Sequence, residues 1–184
     1  MVYSPREDSY LLKKYVANYC KGKKVLDMGT GSGIQAIAAK AGGAARVLGV
    51  DKNKKAVILA KKNAKLAGFA DIEFKFSDLF LAVNEKFDLI VFNPPYLPNE
   101  EHLDISKDYD LIGGEKGNEV SIEFLKQAKE YLNPKGCVLI ICSSISDPFE
   151  IFSYAESFGY SYEILEEFRL DFETLYCVKL WVKE

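Results

Sequence analysis

The segment FDLIVFNPPY, Phe87–Tyr96, holds the clearest information about the fold. Its first six residues are almost entirely apolar, which is typical of a strand buried on both faces of a parallel sheet. Two consecutive prolines cannot donate to a sheet ladder, so the strand has to end before them. The sequence therefore predicts a rigid turn at the carboxyl end of a buried strand, where open α/β sheets bind ligands.

The polar groups of this turn suit one kind of chemistry. Asn93 offers a carbonyl acceptor and an amide donor, and Pro94 offers a backbone carbonyl. Two acceptors on a stiff turn can hold both hydrogens of a planar –NH2 group, while Tyr96 stacks on its flat face. The turn therefore favours a substrate whose nucleophile is an amide or aromatic amine nitrogen. An ordinary proline-rich turn is the alternative, and the tetrapeptide alone does not decide between them.

A glycine-rich motif lies upstream, in the sequence VLDMGTGSG of Val25–Gly33. A short apolar run leads into glycines at positions 29, 31 and 33, and a helical pattern follows from Ile34 to Ala41. Strand, glycine turn and helix form the layout of a nucleotide-type cofactor loop, where glycines let the backbone approach the ligand. The spacing G-x-G-x-G differs from the G-x-G-x-x-G of dinucleotide binders.

Two acidic residues accompany the glycines. Asp27 precedes the turn, and Asp51 ends the next predicted strand, where a carboxylate can hold a ribose hydroxyl. A glycine-rich loop alone is a weak signal. Together with Asp51 and the NPPY turn two strands later, it becomes a strong indication of a cofactor site.

The pair D-x-G-x-G-x-G and NPPY resembles the class I S-adenosylmethionine-dependent methyltransferases that modify exocyclic or amide nitrogens. Within them the chain is most similar to the HemK-like protein-glutamine methyltransferases of release factors, in their short archaeal and eukaryotic branch. Two further stretches resemble that branch, VYSPREDSYLL (Val2–Leu12) and LIGGEKGNEV (Leu111–Val120), with Ser9 where Thr is usual. From the length of 184 residues we expect no counterpart of the extra N-terminal helical domain of the bacterial members.

The resemblance implies an α/β fold: a doubly wound, seven-stranded Rossmann-like sheet of order 3-2-1-4-5-7-6, mostly parallel with one antiparallel strand. It implies S-adenosylmethionine as cofactor and assigns roles to particular residues. The cofactor residues are Asp27, Gly29, Thr30, Gly31, Gly33, Asp51, Lys52, Ser77, Asp78, Leu79 and Asn93, with Pro5, Glu7 and Asp8 closing over them. The catalytic and substrate residues are Asn93, Pro94, Pro95 and Tyr96, with Gly113 and Gly114 on the substrate side. Asp78 is also open to another interpretation, as the N-cap of a short following helix.

Apolar runs and turn signals predict the elements of one domain over residues 1–184. The predicted strands are Lys24–Met28, Arg46–Asp51, Ile72–Ser77, Phe87–Phe92, Cys137–Cys142, Tyr160–Phe168 and Thr174–Val182. An extended start and helix occupy residues 1–20, with Ser4-Pro5 as the helix start. Further helices are predicted at Ile34–Ala41, Asn53–Leu66, Asn118–Leu132 and Pro148–Phe158, with a turn at Asn133–Gly136. Residues 97–117 are predicted to form a polar substrate-side loop, containing Asp104, Asp108, Asp110 and the two glycines.

Composition limits the function further. The chain has 184 residues, of which 48% are hydrophobic, and no apolar run approaches a membrane span. An apolar signal-peptide core is also missing from the first residues. The four cysteines have no C-x-x-C spacing, so we expect buried free thiols in a reducing cytoplasm, and the single histidine predicts no metal cluster. The net charge of −3 leans against a nucleic-acid substrate.

Three functions remain open from the sequence. The first is N5-methylation of the glutamine in the Gly-Gly-Gln motif of a peptide-chain release factor. The alternative is methylation of an exocyclic base amine in RNA or DNA, adenine N6 or guanine N2, because the turn recognises an amine and not its context. The third is a non-catalytic cofactor-binding subunit. The resemblance also implies a small zinc-binding activator of the Trm112 type, and an exposed edge at Ile72–Phe76 is its expected docking strand.

Overall fold

The computed structural model of the chain describes residues 2–99 and 111–183. The strands are β1 (Lys24–Met28), β2 (Arg46–Asp51), β3 (Glu73–Phe76), β4 (Phe87–Phe92), β5 (Leu97–Pro98), β6 (Ile112–Gly114), β7 (Leu132–Ser143), β8 (Tyr160–Arg169) and β9 (Thr174–Val182). The helices of the described ranges are α1 (Glu7–Tyr19), α2 (Ile34–Ala41), α3 (Lys54–Leu66), α4 (Glu119–Ala128) and α5 (Pro148–Ser157), with 3-10 turns at Lys129–Tyr131 and Ser144–Ser146.

Seven strands form one sheet in the order β3-β2-β1-β4-β7-β9-β8. The strands from β3 to β7 run parallel, and β9 runs antiparallel to both of its neighbours. This arrangement confirms the predicted sheet with one antiparallel strand. The chain reverses its direction of progress across the sheet between β1 and β4, and such a switch point opens a crevice at the carboxyl ends of the strands.

The core lies on both faces of this sheet, as the apolar segment before NPPY predicted. Ile90 and Phe92 of β4 belong to one buried cluster, whereas Leu89 and Val91 belong to the cluster on the other face. Each fully buried side chain of this size contributes about 1.5–3 kcal/mol to the free energy of unfolding. β4 is therefore fixed in the middle of the sheet, and the turn that follows it is held on a rigid base.

The boundaries differ from the sequence prediction in several places. Asn133–Gly136 was predicted as a turn before the strand, but β7 already begins at Leu132, which pairs with Phe87. The prediction was wrong because the register shifts before Leu89 pairs with Cys137, so these residues form an irregularity within the strand. The Asn133 Nδ2 group donates to Asp88 Oδ1 over 2.8 Å, which ties this irregularity to β4.

Smaller corrections concern element ends. α1 begins at Glu7 with Arg6 in the N-cap position, rather than at Ser4-Pro5. α4 ends at Ala128, because a 3-10 turn replaces the last predicted helical residues. Residues 77–86 after β3 form turns and bends, so Asp78 does not cap a short helix.

The ends of the substrate-side loop are more regular than the sequence predicted. β5 and β6 pair in parallel, with Leu97 opposite Ile112, and form a second, two-stranded sheet. Asp104, Asp108 and Asp110 lie outside the described residues. Across 2–99 and 111–183, no helix combines the length and apolar character that a bilayer crossing requires.

Candidate active site

A cavity of about 530 Å³ opens at the carboxyl ends of the parallel strands. Small-molecule sites in proteins are typically about 300–1,000 Å³, so a nucleoside-sized cofactor and a side chain can share it. Nearly all residues that the sequence singled out line this cavity: Pro5, Glu7, Asp8, Asp27, Gly29, Thr30, Gly31, Asp51, Lys52, Ser77, Asp78, Leu79, Asn93, Pro94, Pro95, Tyr96, Gly113 and Gly114. Gly33 is outside the lining.

The glycine turn brings the backbone close to the cavity. Gly29 has a φ of 61°, in the left-handed region, and a Cβ there would lie 3.1 Å from the Phe92 ring. Gly33 has a φ of 85°, and its Cβ would lie 3.2 Å from the Cα of Ala60. Gly29 therefore keeps the turn against β4, whereas Gly33 lets α2 begin in close contact with α3.

Asp27 ties the glycine turn to the first turn of α2. Its Oδ2 accepts hydrogen bonds from Thr30 Oγ1 at 2.6 Å and from the Ala36 N–H at 3.0 Å. Its Oδ1 is buried and has no hydrogen-bond partner among the described residues. Burial raises the pKa of this carboxyl to about 7, although both hydrogen bonds favour the charged form.

Asp51 organises the backbone at the end of β2. Its Oδ2 accepts the Gly31 N–H at 2.9 Å, and its Oδ1 accepts the Asn53 N–H at 2.8 Å. Asn53 in turn caps α3, because its Oδ1 accepts the Lys55 N–H at 3.0 Å. A ribose hydroxyl would have to share this carboxylate with the two backbone amides.

The segment after β3 forms a tight turn on the same rim. Ser77 is buried, donates from Oγ to the Leu79 carbonyl at 2.7 Å and accepts the Ala82 N–H at 2.9 Å. Leu79 has a φ of 43°, in the left-handed region, which this hydrogen bonding holds in place. Ser77 thus shapes the turn, while Asp78 is exposed at the cavity rim.

Asn93 is held from one side. Its Nδ2 lies 3.1 Å from Asp8 Oδ2 and 3.4 Å from Ser9 Oγ, and donates to both. Its Oδ1 is buried and finds no hydrogen-bond partner in the described part of the chain. A buried acceptor without a partner costs about 1–3 kcal/mol, so this oxygen is suited to receive a donor from a ligand.

Tyr96 supplies a neutral aromatic wall. Burial, and then the negative charge of Asp8, raise the pKa of its phenol above the usual range. The phenol therefore stays protonated at any physiological pH. The backbone carbonyls of Pro95 and Tyr96 are in close contact with residues 111–117, the end of the substrate-side loop. A Cβ on Gly113 would lie 2.5 Å from the Pro95 oxygen, and one on Gly117 would lie 2.4 Å from the Tyr96 oxygen.

Several cavity residues were missed by the sequence prediction. Tyr3 donates from its hydroxyl to both carboxylate oxygens of Asp8, at 2.8 and 2.9 Å. The Gln35 Nε2 donates to the Ser9 carbonyl at 2.9 Å, and Glu173 accepts from Ser143 Oγ at 2.7 Å. Tyr3 belongs to the N-terminal stretch that already carried the family resemblance, whereas Gln35 and Glu173 have no local signal.

The sheet order, the glycine turn, the acid ending β2 and the NPPY turn together define a class I methyltransferase, an enzyme class whose cofactor is S-adenosylmethionine. The family described as "Methyltransferase small domain" matches residues 7–169. The chain belongs to that family.

Individual relatives are similar over different lengths. A protein named as an N5-glutamine methyltransferase of Methanocaldococcus jannaschii is 40% identical over 182 residues, which cover 98% of this chain and 91% of that protein. A release factor glutamine methyltransferase of Buchnera aphidicola is 33% identical over 74% of this chain. The matched part is 52% of the Buchnera protein, so the chain spans about half the length of such bacterial relatives.

A solved structure covers the whole fold. The structure of the E. cuniculi Mtq2–Trm112 complex, described as responsible for methylation of the eRF1 translation termination factor, has a TM-score of 0.79 to this chain. The sequence identity is 26%, and the alignment covers 99% of each chain.

Proposed function

We propose that this enzyme methylates the side-chain amide nitrogen of a glutamine, in the Gly-Gly-Gln motif of a peptide-chain release factor. The observation that carries the chemistry is the buried Oδ1 of Asn93, which has no hydrogen-bond partner among residues 2–99 and 111–183, and Pro94 follows it in the cavity lining. The relative that matches over nearly its full length supports glutamine as the acceptor. The relatives named as release factor glutamine methyltransferases support a release factor as the protein that carries this glutamine.

The cradle for the cofactor consists of the glycine turn and the carboxylates around it. A Cβ at Gly29 would crowd Phe92, so the turn keeps a bare backbone at the cavity. Asp51 at the end of β2 and Asp78 on the neighbouring rim both line the cavity. In this proposal Asp51 receives a ribose hydroxyl and Asp78 receives the adenine amine. When bound there, S-adenosylmethionine supplies an electrophilic methyl group on a sulfonium.

The residues of the NPPY turn orient the acceptor nitrogen. Asn93 Oδ1 and the Pro94 carbonyl each accept one hydrogen of the –NH2 group, which aims the nitrogen at the methyl group. Both carbonyl dipoles would stabilise the positive charge that develops on nitrogen as the nitrogen–methyl bond forms and the sulfur–methyl bond breaks, with S-adenosylhomocysteine as the leaving group. Tyr96 covers the flat face of the amide, and the nitrogen loses one proton to solvent after the transfer.

The charge of the cavity favours a protein acceptor over nucleic acid. Of the described residues that line it, eight are acidic and two, Arg6 and Lys52, are basic. A phosphate backbone is bound through Lys and Arg, so an acidic lining repels a polyanion. The two acceptors of the turn fit the amine of a nucleic-acid base as well as they fit an amide. Methylation of RNA or DNA is therefore tested as a separate outcome of the methyl-transfer assay.

The assembly of Mtq2 with Trm112 supports a similar partner for this chain. The proposed partner is a small zinc-binding protein of the Trm112 type, and its proposed docking strand is β3, an edge of the seven-stranded sheet. A release factor as substrate, together with four buried free cysteines, also supports a cytoplasmic location.

Methyl transfer from radiolabelled S-adenosylmethionine tests the proposal. Purified protein, with and without a Trm112-type partner, is offered a release factor, tRNA, rRNA and DNA in separate reactions. We expect label on the release factor, and none when the Gly-Gly-Gln glutamine is replaced. Asn93→Ala should lower transfer by at least about 100-fold, the scale set by loss of a transition-state contact, while binding of S-adenosylhomocysteine stays within a few-fold.

Other results would redirect the assignment. Label on nucleic acid alone would identify a base methyltransferase and overturn the substrate. Cofactor binding with no transfer to any acceptor, with or without the partner, would favour a non-catalytic subunit. Full turnover by Asn93→Ala would contradict the role given to the NPPY turn.

A further inference from the structure

We propose that Asp8 is a positioning residue, which fixes the Asn93 side-chain amide so that its oxygen is presented to the substrate nitrogen. The inference rests on the proposed function of Asn93 as the substrate acceptor. It gives Asp8 a task different from closing over the cofactor, the role that the family resemblance implied.

The contact between the two side chains allows one orientation of the amide. An ionised carboxylate only accepts hydrogen bonds, and Asp8 Oδ2 lies 3.1 Å from Asn93 Nδ2. Rotating the amide by half a turn would bring its oxygen against the carboxylate, so two acceptors would face each other. Oδ1 is consequently left on the other side, buried and without a partner within the described residues.

Asp8 itself is fixed from several directions. Its side chain is 4% exposed, and the Tyr3 hydroxyl donates to both of its oxygens. The backbone N–H of Ser9 also donates to Oδ1. The next residue of α1 is tied to α2, because Gln35 Nε2 donates to the Ser9 carbonyl at 2.9 Å. A series of hydrogen bonds thus runs from Tyr3 through Asp8 to Asn93.

The consequence for the reaction follows from the donor and acceptor pattern. The substrate –NH2 group brings two donors, which require an acceptor at Asn93. Without Asp8 the amide can turn its own NH2 toward the substrate, and donors then face donors. The fraction of productive complexes falls, whereas the cofactor contacts of the glycine turn and Asp51 are unchanged. The expected signature is a lower kcat at unchanged affinity for S-adenosylhomocysteine.

Four variants test this in the assay for methyl transfer. Asp8→Ala should lower kcat by up to about 100-fold, the scale that misplacement at a reacting centre costs. Asp8→Asn keeps an acceptor for Asn93 but also offers a donor to the rotated amide, so its loss should be intermediate. Tyr3→Phe removes the hydroxyl that donates to the Asp8 carboxylate, and it should lower kcat by a smaller factor, about 3- to 10-fold. Asp71→Asn, which removes an exposed carboxylate paired with Lys40 outside the cavity, is the matched control and should behave as wild type.

A second measurement reports on the amide without any substrate. The Asn93 side-chain NH2 is identified by NMR as the signal pair absent from Asn93→Ala. Its protons should exchange slowly with water in wild type and in Asp71→Asn, and at least about 10-fold faster in Asp8→Ala, because the hydrogen bond to the carboxylate is lost. If Asp8→Ala does not fold, Asp8→Asn and Tyr3→Phe still test the inference, because each should lower kcat by a smaller amount at unchanged affinity for S-adenosylhomocysteine.

Three results would overturn the inference: wild-type kcat in Asp8→Ala, unchanged exchange of the Asn93 amide, or an equal loss of kcat and of affinity for S-adenosylhomocysteine. The last would mean that Asp8 acts on the cofactor. If wild type methylates no acceptor at all, the proposed function fails, and the NMR comparison alone decides the position of the amide.

Discussion

At the scale of the residue, Asp27 shows how the cofactor turn is held together. The residue is 1% exposed, and its carboxyl group accepts hydrogen bonds from Thr30 and from the Ala36 N–H in α2 through a single oxygen. Its other oxygen is buried without a partner in the described structure. This side chain therefore stabilises the turn while its own charge is poorly solvated, and burial raises its pKa to about 7.

The raised pKa makes stability depend on pH in a definite direction. Below pH 3.8, the ordinary pKa of an aspartate, Asp27 is protonated in both the folded and the unfolded chain, so its titration does not change the free energy of unfolding. Between that value and about 7 the unfolded chain releases a proton that the folded chain retains, so folding loses free energy as pH rises. Asp27→Asn cannot titrate, and its amide can still offer one acceptor to the turn.

We expect the melting temperature of Asp27→Asn, relative to wild type, to rise between pH 4 and pH 8. The change should be at least about 3 °C, the response to roughly 1 kcal/mol in a chain of this size. Thermal unfolding followed by circular dichroism across this range measures it, and other titrating groups cancel in the difference. A difference in melting temperature that stays constant with pH would show that Asp27 titrates normally.

Residues in local motifs could be predicted from the sequence, and residues joined over long distances could not. Gly29, Asp51 and Asn93 follow apolar strands at regular positions, so their place at the carboxyl edge of a sheet was predictable. The hydrogen bond from Asn93 to Asp8 joins residues that are 85 positions apart, and the one from Gln35 to the Ser9 carbonyl joins residues that are 26 positions apart. No spacing in the sequence records such contacts.

At the scale of the element, the end of the substrate-side loop, residues 111–117, packs closely against the NPPY turn. A Cβ on Gly113 would lie 2.3 Å from the Gly117 oxygen as well as 2.5 Å from that of Pro95. Both neighbours are backbone atoms, which cannot move aside without moving the turn. At the start of α4, the Lys116 N–H donates to Glu119 Oε1 at 2.9 Å. Burial raises the pKa of the Glu119 carboxyl, but backbone hydrogen bonds lower it by more, and the bond from the Lys116 N–H has the largest effect among them. The pKa of Glu119 therefore lies below its usual range.

Gly113→Ala should therefore impair catalysis more than folding. The added methyl group displaces the loop from Pro95, and we expect kcat to fall at least about 10-fold, because the acceptor turn shifts with it. Gly68→Ala is the control, since its Cβ would meet open space, although its φ of 86° makes it strained. Steady-state kinetics and melting temperatures on both variants separate the effects. Equal activity in the two would show that the loop does not position the turn.

The predictability of the elements depended on their length. β4 and the apolar part of β7 were predicted because long apolar runs can only be buried strands here. β5 and β6 were missed, because strands of two and three residues have no period to detect and Leu97–Pro98 contains a proline. The early start of β7 depends on one contact, between Leu132 and Phe87, which the intervening Asn-Pro-Lys-Gly sequence conceals.

At the scale of the whole molecule, the two edge strands of the seven-stranded sheet differ in length: β3 has four residues and β8 has ten. β3 at one edge is four residues long and ends in Phe76, whose side chain is 50% exposed. Lys54 Nζ lies 5.4 Å from the centre of the Phe76 ring. The other edge is β8, where Phe168 is 39% exposed. The order of the strands was implied by the family resemblance, because apolar runs in a sequence predict strands but not which strands pair with each other.

The proposed partner should depend on the β3 edge. Phe76→Asp is expected to weaken binding of a Trm112-type protein by at least about 10-fold, as removal of an interface anchor does. Phe168→Asp places the same change on the opposite edge strand and should leave binding unaltered. Isothermal titration calorimetry measures both. Loss of binding in Phe168→Asp with full binding in Phe76→Asp would place the partner on β8 instead.

The burial of the four cysteines has a practical consequence. All of them lie within the described ranges, and burial raises the pKa of each thiol, so the nucleophilic thiolate is suppressed. Phe172, in contrast, is 97% exposed between β8 and β9, and its neighbours Leu170 and Glu173 line the cavity. A cysteine introduced at Phe172 would give maleimide dyes a single fast-reacting handle in the otherwise native chain. A fluorophore attached there would lie next to two residues of the cavity lining, and a change in its emission on adding substrate would follow binding in real time.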